Sequence, residues 1–195
     1  MTLPSEAVDR FCEIFQQAQD ADLPTFDAMT LATVRPDGRP SARTVLLKGV
    51  DENGFVFYTN KRSRKGRHLA ENPHAALCMY WAPLGLQVLV EGAVEHVSDQ
   101  QADSYFATRP RLSQIGAWAS RQSEPLESLS SLELQVRQVE EEYAGREVPR
   151  PPHWGGYRVV PTLVEFWAAG DGRLHVRERY ERDEQGGWSH CYLNP

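Results

Sequence analysis

From Tyr105 to Ser123 the chain reads YFATRPRLSQIGAWASRQS, with three arginines (Arg109, Arg111, Arg121), three serines (Ser113, Ser120, Ser123), two glutamines (Gln114, Gln122) and no acidic residue. A guanidinium presents a planar fork of donors matched to a phosphate, and hydroxyls and amides add neutral donors around it. The chemistry within reach is anion binding. The same composition also fits a solvated, irregular connection, because Pro110 disfavours helix at the residue before it and charge runs are commonly solvated faces. A second basic cluster favours the anion site. Between Arg35 and Arg67 stand nine basic residues (Arg35, Arg39, Arg43, Lys48, Lys61, Arg62, Arg64, Lys65, Arg67) against three acidic ones, Asp37, Asp51 and Glu52. This region therefore carries +6, and the rest of a chain of net charge −6 carries −12. Such unevenness suits a small anionic ligand; a nucleic acid would meet repulsion elsewhere.

Other chemistries find little support. No serine sits in a GxSxG elbow, and the six histidines never pair at HxH or HxxxH spacing, so a protein metal site is not expected. There is no GxGxxG after a strand and no GxxxxGK[ST], which argues against a Rossmann fold and a P-loop. Cys12, Cys78 and Cys191 are odd in number and far apart, a pattern that fits a reducing cytoplasm rather than a disulfide framework. The first residues, MTLPSEAVDR, lack the basic and apolar regions of a secretory signal. No apolar run approaches the ~18 residues that cross a bilayer, so no membrane partner is expected. At 195 residues, 41% hydrophobic and 25% charged, the chain is expected to fold as one globular domain with a real core.

The elements that must position the basic residues are mostly short strands. Val8, Phe11, Ile14, Phe15 and Ala18 keep helical spacing and predict an amphipathic helix over about 5–21, with Ser5 as its cap. Strands are expected at Met29–Val34, Ser41–Val50 and Phe55–Thr59, joined by Pro36-Asp37-Gly38 and Asn53-Gly54 turns into a meander. Ser63 to Asn72 reads as a short helix capped by Ser63, and Ala75–Trp81 and Gln87–Val97 as strands. Asp99–Thr108 and Ser128–Tyr143 read as helices. Gly156–Val160, Leu163–Ala168, Arg173–Glu181 and Trp188–Leu193 are the last four strands. Many short strands with few helices predict a closed antiparallel β-barrel with peripheral helices. Most of the five tryptophans are expected in the core.

Four segments, RTVLLK (Arg43–Lys48), FYTNKRSRKG (Phe57–Gly66), RPRLSQIGAWASRQS (Arg109–Ser123) and EFWAAGDGRLHVR (Glu165–Arg177), closely resemble the pyridoxamine/pyridoxine 5′-phosphate oxidase family. The likeness runs from about the first strand to the C-terminal proline. It implies a single FMN-binding split β-barrel domain over 1–195, its C-terminal strands at about 156–193, assembled as a cytoplasmic homodimer with FMN between subunits. It implies an FMN-dependent enzyme that oxidises pyridoxine or pyridoxamine 5′-phosphate with O₂ to pyridoxal 5′-phosphate and H₂O₂. By the same resemblance Arg43, Thr44, Val45, Leu46, Leu47 and Lys48 line the flavin and its phosphate, and Tyr58 and Thr59 support it. Arg64 and Lys65 clamp the FMN phosphate with Gln122 and Ser123, and Gln87, Trp167 and Arg177 complete the flavin site. Lys48, Tyr105, Arg109 and Ser113 match the substrate phosphate pocket. Arg173, Leu174 and His175 match the residues over the pyridine ring, with Arg173 and His175 in the catalytic role.

The chain departs from that pattern at three places. Val176 stands where the RLHxR motif usually carries an acidic residue, Tyr192 where an arginine precedes Leu-x-Pro, and Leu86 where an arginine is common. Loss of the acidic neighbour is expected to loosen Arg177 or Arg173. Two other readings stay open: a related flavin oxidase of the phenazine-pathway type, which shares RLHxR, and a non-catalytic carrier of FMN or pyridoxal phosphate.

Overall fold

The computed structural model describes residues 2–195. Helix α1 (Ser5–Asp20) buries Ala7, Phe11, Ile14 and Ala18 along one stripe. Phe11 meets Phe55 edge to face at 4.9 Å, which seats the helix on the sheet. Pro4 rather than Ser5 precedes its first turn; the Ser5 hydroxyl bonds only to Glu6, so the expected cap is not made.

Nine strands follow, all pairing antiparallel: β1 (Ala28–Val34), β2 (Pro40–Leu46), β3 (Gly49–Asp51), β4 (Gly54–Asn60), β5 (His74–Trp81), β6 (Leu86–His96), β7 (Trp154–Ala168), β8 (Val176–Arg182) and β9 (Trp188–Leu193). Their order is β2-β1-β5-β6-β7-β4-β3, with β8 and β9 extending from β7. The sheet curls until β2 lies near β4, but no ladder joins the two, so the barrel is split, as the family resemblance implied, rather than closed, as the strand pattern alone predicted. Leu31, Leu77, Val88, Val90, Phe57, Val159 and Val164 fill the inside of the curl and are fully buried.

Three expectations about strands are corrected. The segment Ser41–Val50 is not one strand. It breaks at Leu47, whose side chain turns into the core while its N–H donates to Asp27 O at 2.8 Å. The two hairpins therefore lie at opposite ends of the sheet order and form no meander. Residues 156–168, expected as two strands, belong to the single long β7. Pro161 has no N–H to donate, and the β6–β7 register shifts between Glu91 and Gly92, with Thr162 beside the proline as the extra residue of β7. Gly92 permits this, since a Cβ there would lie 2.0 Å from Val160 O. On its other edge β7 pairs with β4 before the proline and with β8 after it. Lastly, β8 starts at Val176, and Arg173 belongs to a one-turn 3-10 helix over Asp171–Arg173.

Helices α2 (Arg64–Glu71), α3 (Asp99–Thr108) and α5 (Leu129–Glu142) match the sequence expectation, and Ser63 caps α2 by accepting from Gly66 N. An additional helix, α4 (Arg111–Ala119), occupies the basic stretch. Pro110 ends α3, leaving Arg109 extended at φ −71°, ψ 147°, and the chain then restarts as helix immediately after it. The basic stretch is thus ordered, not an irregular connection.

Candidate functional site

The two basic clusters meet in one cleft of about 450 Å³. Its walls are Thr44, Val45, Leu46 and Lys48 from β2 and its exit, Tyr58 and Thr59 from β4, Lys65 from α2, Tyr105, Arg109 and Ser113 from α3 and α4, and Gln122 and Trp154. Lys65 is the most enclosed cation: Nζ donates to Thr59 Oγ1 at 3.1 Å, Gln122 Oε1 at 3.1 Å and Ser63 Oγ at 3.3 Å. Burial, with the charge of Arg43 nearby, pushes its ammonium down to about 8. Beside it Arg43 and Arg64 share the Ser41 hydroxyl, at 2.8 Å and 2.7 Å. Among the described residues none of these three cations has a carboxylate within ion-pair distance. Three cations held together without a counter-charge are the donor set a phosphate dianion requires.

Arg109, at the other end, lies on an aromatic platform. Its guanidinium carbon is 4.9 Å from the Trp154 ring and 5.4 Å from Phe106. Tyr58, Tyr105 and Trp154 lie nearly parallel to one another, Tyr58 at 4.1 Å (15°) from Tyr105 and 5.3 Å (6°) from Trp154. Gly156 makes that stack possible, because a Cβ there would come within 2.7 Å of the Tyr58 ring. Arg109 Nη1 is buried with no hydrogen-bond partner, and burial holds the guanidinium below its ordinary pKa. A buried, unpartnered charged donor is costly unless a ligand accepts from it. Lys48, by contrast, is paired with Asp27 at 2.6 Å.

The remaining expected residues gather elsewhere. Gln87, Trp167 and Arg177 are in register across β6, β7 and β8, with Tyr80 of β5 opposite Gln87. By strand alternation they face away from the core residues Val88 and Phe166. His175 packs on Trp167 at 4.6 Å and its Nδ1 accepts from Gly170 N at 3.2 Å, so the neutral ring carries its proton on Nε2. Arg177 donates through Nε to Glu165 Oε1 at 2.8 Å and through Nη1 to Asn194 O at 3.2 Å. Arg179 Nη2 bonds the other Glu165 oxygen at 2.9 Å. Burial alone would raise the Glu165 carboxyl, but the two arginines outweigh it and hold it below the usual range. None of these residues lines the cleft of their own chain. Leu174, Val176, Tyr192 and Tyr80, near this row, are exposed. Of the expected cofactor residues, Leu47 gives its side chain to the core, and Ser123 lies exposed at φ 74° in the turn after Gln122.

The sequence compares as the geometry leads one to expect. Residues 15–143 match the family model described as pyridoxamine 5′-phosphate oxidase, and residues 154–195 match that of the pyridoxine 5′-phosphate oxidase C-terminal dimerisation region. The chain belongs to the pyridoxamine 5′-phosphate oxidase family. A pyridoxine/pyridoxamine 5′-phosphate oxidase of Myxococcus xanthus (strain DK1622) is 55% identical over 99% of this chain and 93% of its own. That of Alkalilimnicola ehrlichii is 53% identical over the whole of both chains. Among solved structures, PhzG of Burkholderia lata 383, in complex with tetrahydrophenazine-1-carboxylic acid, superposes with a TM-score of 0.90 at 33% identity, over 100% of this chain and 94% of its own. An FMN-binding protein of Nostoc punctiforme has the same fold, with a TM-score of 0.76 at 20% identity over 96% of each chain.

Sequence reasoning missed several residues that hold these side chains in place. Ser41, Thr33 and His68 lie behind the arginines, Trp154 forms the platform, and Glu165 holds Arg177. Trp154 was hidden among tryptophans assigned to the core. Glu165 stood inside the quoted EFW segment, the one acidic residue there that alternation places with Trp167. The expected loosening by Val176 has no counterpart for Arg177, whose anchor is Glu165 across the ladder rather than its chain neighbour.

Proposed function

We propose that this chain is an FMN-dependent oxidase that converts pyridoxine 5′-phosphate or pyridoxamine 5′-phosphate to pyridoxal 5′-phosphate. The observation that carries the reading is that Lys65, Thr59 and Gln122 share a single cleft with Lys48, Tyr105, Arg109 and Ser113. One cleft with a cationic donor set at each end suits two phosphate esters held side by side. FMN fits the first end: Arg43, Arg64 and Lys65 offer its phosphate a cation cluster lacking a carboxylate, and Thr59 and Gln122 add neutral groups. The substrate phosphate fits the second, where Arg109 has an unused donor.

Bound FMN would take a hydride from the substrate C4′ carbon and pass the two electrons to O₂, giving H₂O₂. The alcohol yields the aldehyde directly; the amine yields it with uptake of water and release of ammonia. The protein's share is alignment, because two fixed phosphates would hold the reacting atoms at one distance. Arg177, anchored by Glu165, is the cation for the electron-rich edge of the flavin. On this reading Arg173 and His175 lie over the substrate ring, and with Nδ1 accepting from Gly170 N the His175 Nε2–H is a donor that orients the substrate's C4′ oxygen or nitrogen rather than taking its proton.

Arg173, His175 and Arg177 do not line the cleft of their own chain, so the reading requires a homodimer in which the partner supplies them. The exposed Tyr80 and Leu174, beside this row, are surface that such a dimer would cover. Oxygen uptake and pyridoxal phosphate formation on the FMN-loaded protein test the reading directly. Turnover of either phosphate ester supports it; a yellow, dimeric protein that consumes no oxygen with both would overturn it. The resemblance to PhzG keeps a second reading open, oxidation of a phenazine-type ring. Turnover of a reduced phenazine carboxylate without turnover of the phosphate esters would favour that one.

A further inference from the structure

Resting on the FMN reading above, we infer that Ser41 is itself a phosphate-binding residue and the bridge that spaces the two arginines of the clamp. Its hydroxyl oxygen accepts from Arg43 Nη2 at 2.8 Å and from Arg64 Nη2 at 2.7 Å. A hydroxyl has two lone pairs and one proton. With both lone pairs taken by guanidiniums, the proton is left to point away from them, toward whatever anion the two cations attract. The arrangement also answers a physical difficulty. Two like charges repel, and the charge of Arg64 adds to burial in depressing the Arg43 guanidinium. A shared acceptor holds them side by side without the carboxylate that would neutralise the site.

Arg43 is fixed from behind as well. Its Nη1 donates to Leu31 O at 3.0 Å and to Thr33 Oγ1 at 2.8 Å. Thr33 is 1% exposed and its Oγ1 lies 3.0 Å from Nδ1 of His68, itself buried. Burial and the surrounding arginines 43, 64, 35 and 67 all disfavour the charged imidazole. A neutral His68 that accepts at Nδ1 leaves Thr33 accepting from Arg43 and donating to His68. The bonds then run in one direction, Arg43 to Thr33 to His68, and the free faces of Arg43 and Ser41 turn to the ligand. Thr33 and His68 are positioning residues, and Ser41 touches the ligand.

A ratio of two affinities separates this role from general support of the fold. Apo-protein would be titrated with FMN and with riboflavin, which differ only in the phosphate, by quenching of flavin fluorescence. Apo melting temperatures would be recorded alongside. Wild type should bind FMN more tightly. Ser41→Ala should weaken FMN by about tenfold and riboflavin by less than about twofold, the loss of one charge-assisted hydrogen bond. Ser41→Thr, which keeps the hydroxyl, should restore most of the difference. Thr33→Val should act in the same sense by about threefold, as a lost support rather than a lost contact. An FMN affinity unchanged in Ser41→Ala, or an equal loss for both flavins with a lowered melting temperature, would overturn the inference. A wild type without preference for FMN over riboflavin would sink the cofactor reading itself, and this inference with it.

Discussion

The cleft and the row of C-terminal residues hold their functional groups in opposite ways. In the cleft Lys65 is tied to three oxygens and Arg109 lies on two aromatic faces, and beside it Arg43 is tied to three acceptors. In the row, Arg177 is anchored, yet Leu174 is 73% exposed and Arg173 occupies a left-handed conformation at φ 67°. A non-glycine residue there costs on the order of 1 kcal/mol, which the short turn from Gly170 to His175 must hold. The anion half of the site is built within one chain by neighbouring strands and helices. The half that would carry the chemistry faces outward, and on the homodimer reading it meets its ligands only across the subunit boundary.

The contrast is broken most sharply at Arg109. Arg109→Ala should lower kcat/KM for the phosphorylated substrates by about ten- to a hundredfold, the loss of a charge-assisted contact worth roughly 1.5–3 kcal/mol. Unphosphorylated pyridoxine should turn over poorly and almost equally in both proteins; an equal loss on both substrates would remove the phosphate role from this residue.

Glu165 tests the other half. Glu165→Ala leaves two arginines without their shared carboxylate, and about 2 kcal/mol of stability should go with it, discounted because those arginines reach solvent. That corresponds to a fall in melting temperature of about 4–8 °C. An unchanged melting temperature would show the ion pairs to be dispensable, and with them the argument that Arg177 is held ready.

Lys65 sharpens the comparison through pH. Its folded pKa of about 8 lies below its ordinary value, so the free protein loses this cation as pH rises through about 8. FMN affinity should fall above that pH while riboflavin affinity holds, and proton uptake should accompany FMN binding there. Stability of the free protein moves the other way. Above pH 8 the unfolded chain binds the proton that the folded chain has released, so this group's contribution rises with pH up to its ordinary pKa. Flat FMN affinity between pH 7 and 9 would argue against Lys65 as a phosphate ligand.

The smallest effect is expected at Val176, which is exposed and points away from the Arg177 side of β8. Val176→Asp, which restores the acidic residue of the family pattern, should change FMN affinity by less than about twofold, since a surface charge pair is worth under about 1 kcal/mol. A large gain would mean that Glu165 does not suffice to orient Arg177.

Much of this was legible along the chain because its signals are local. The strands at β1 and β4, the Asn53-Gly54 hairpin, the α1 stripe and the Ser63 cap each depend on residues a few positions apart, and each is found. The basic composition of Tyr105–Ser123 and Arg35–Arg67 likewise pointed to anion binding without any knowledge of the fold, and the two stretches do meet in one cleft. What local patterns do not contain is which strand lies beside which. The break at Leu47 sends two hairpins to opposite ends of the sheet order, and the bulge beside Pro161 lets one long strand serve two partners. Those long-range choices bring Gln122 to Lys65, 57 residues away, and Glu165 to Arg177 across a ladder, and they leave Arg173 and His175 outside the cleft. Side-chain types and their spacing can thus be read as chemistry from the sequence. Distances between them follow from strand register and chain crossing, set by the burial of the whole core at once.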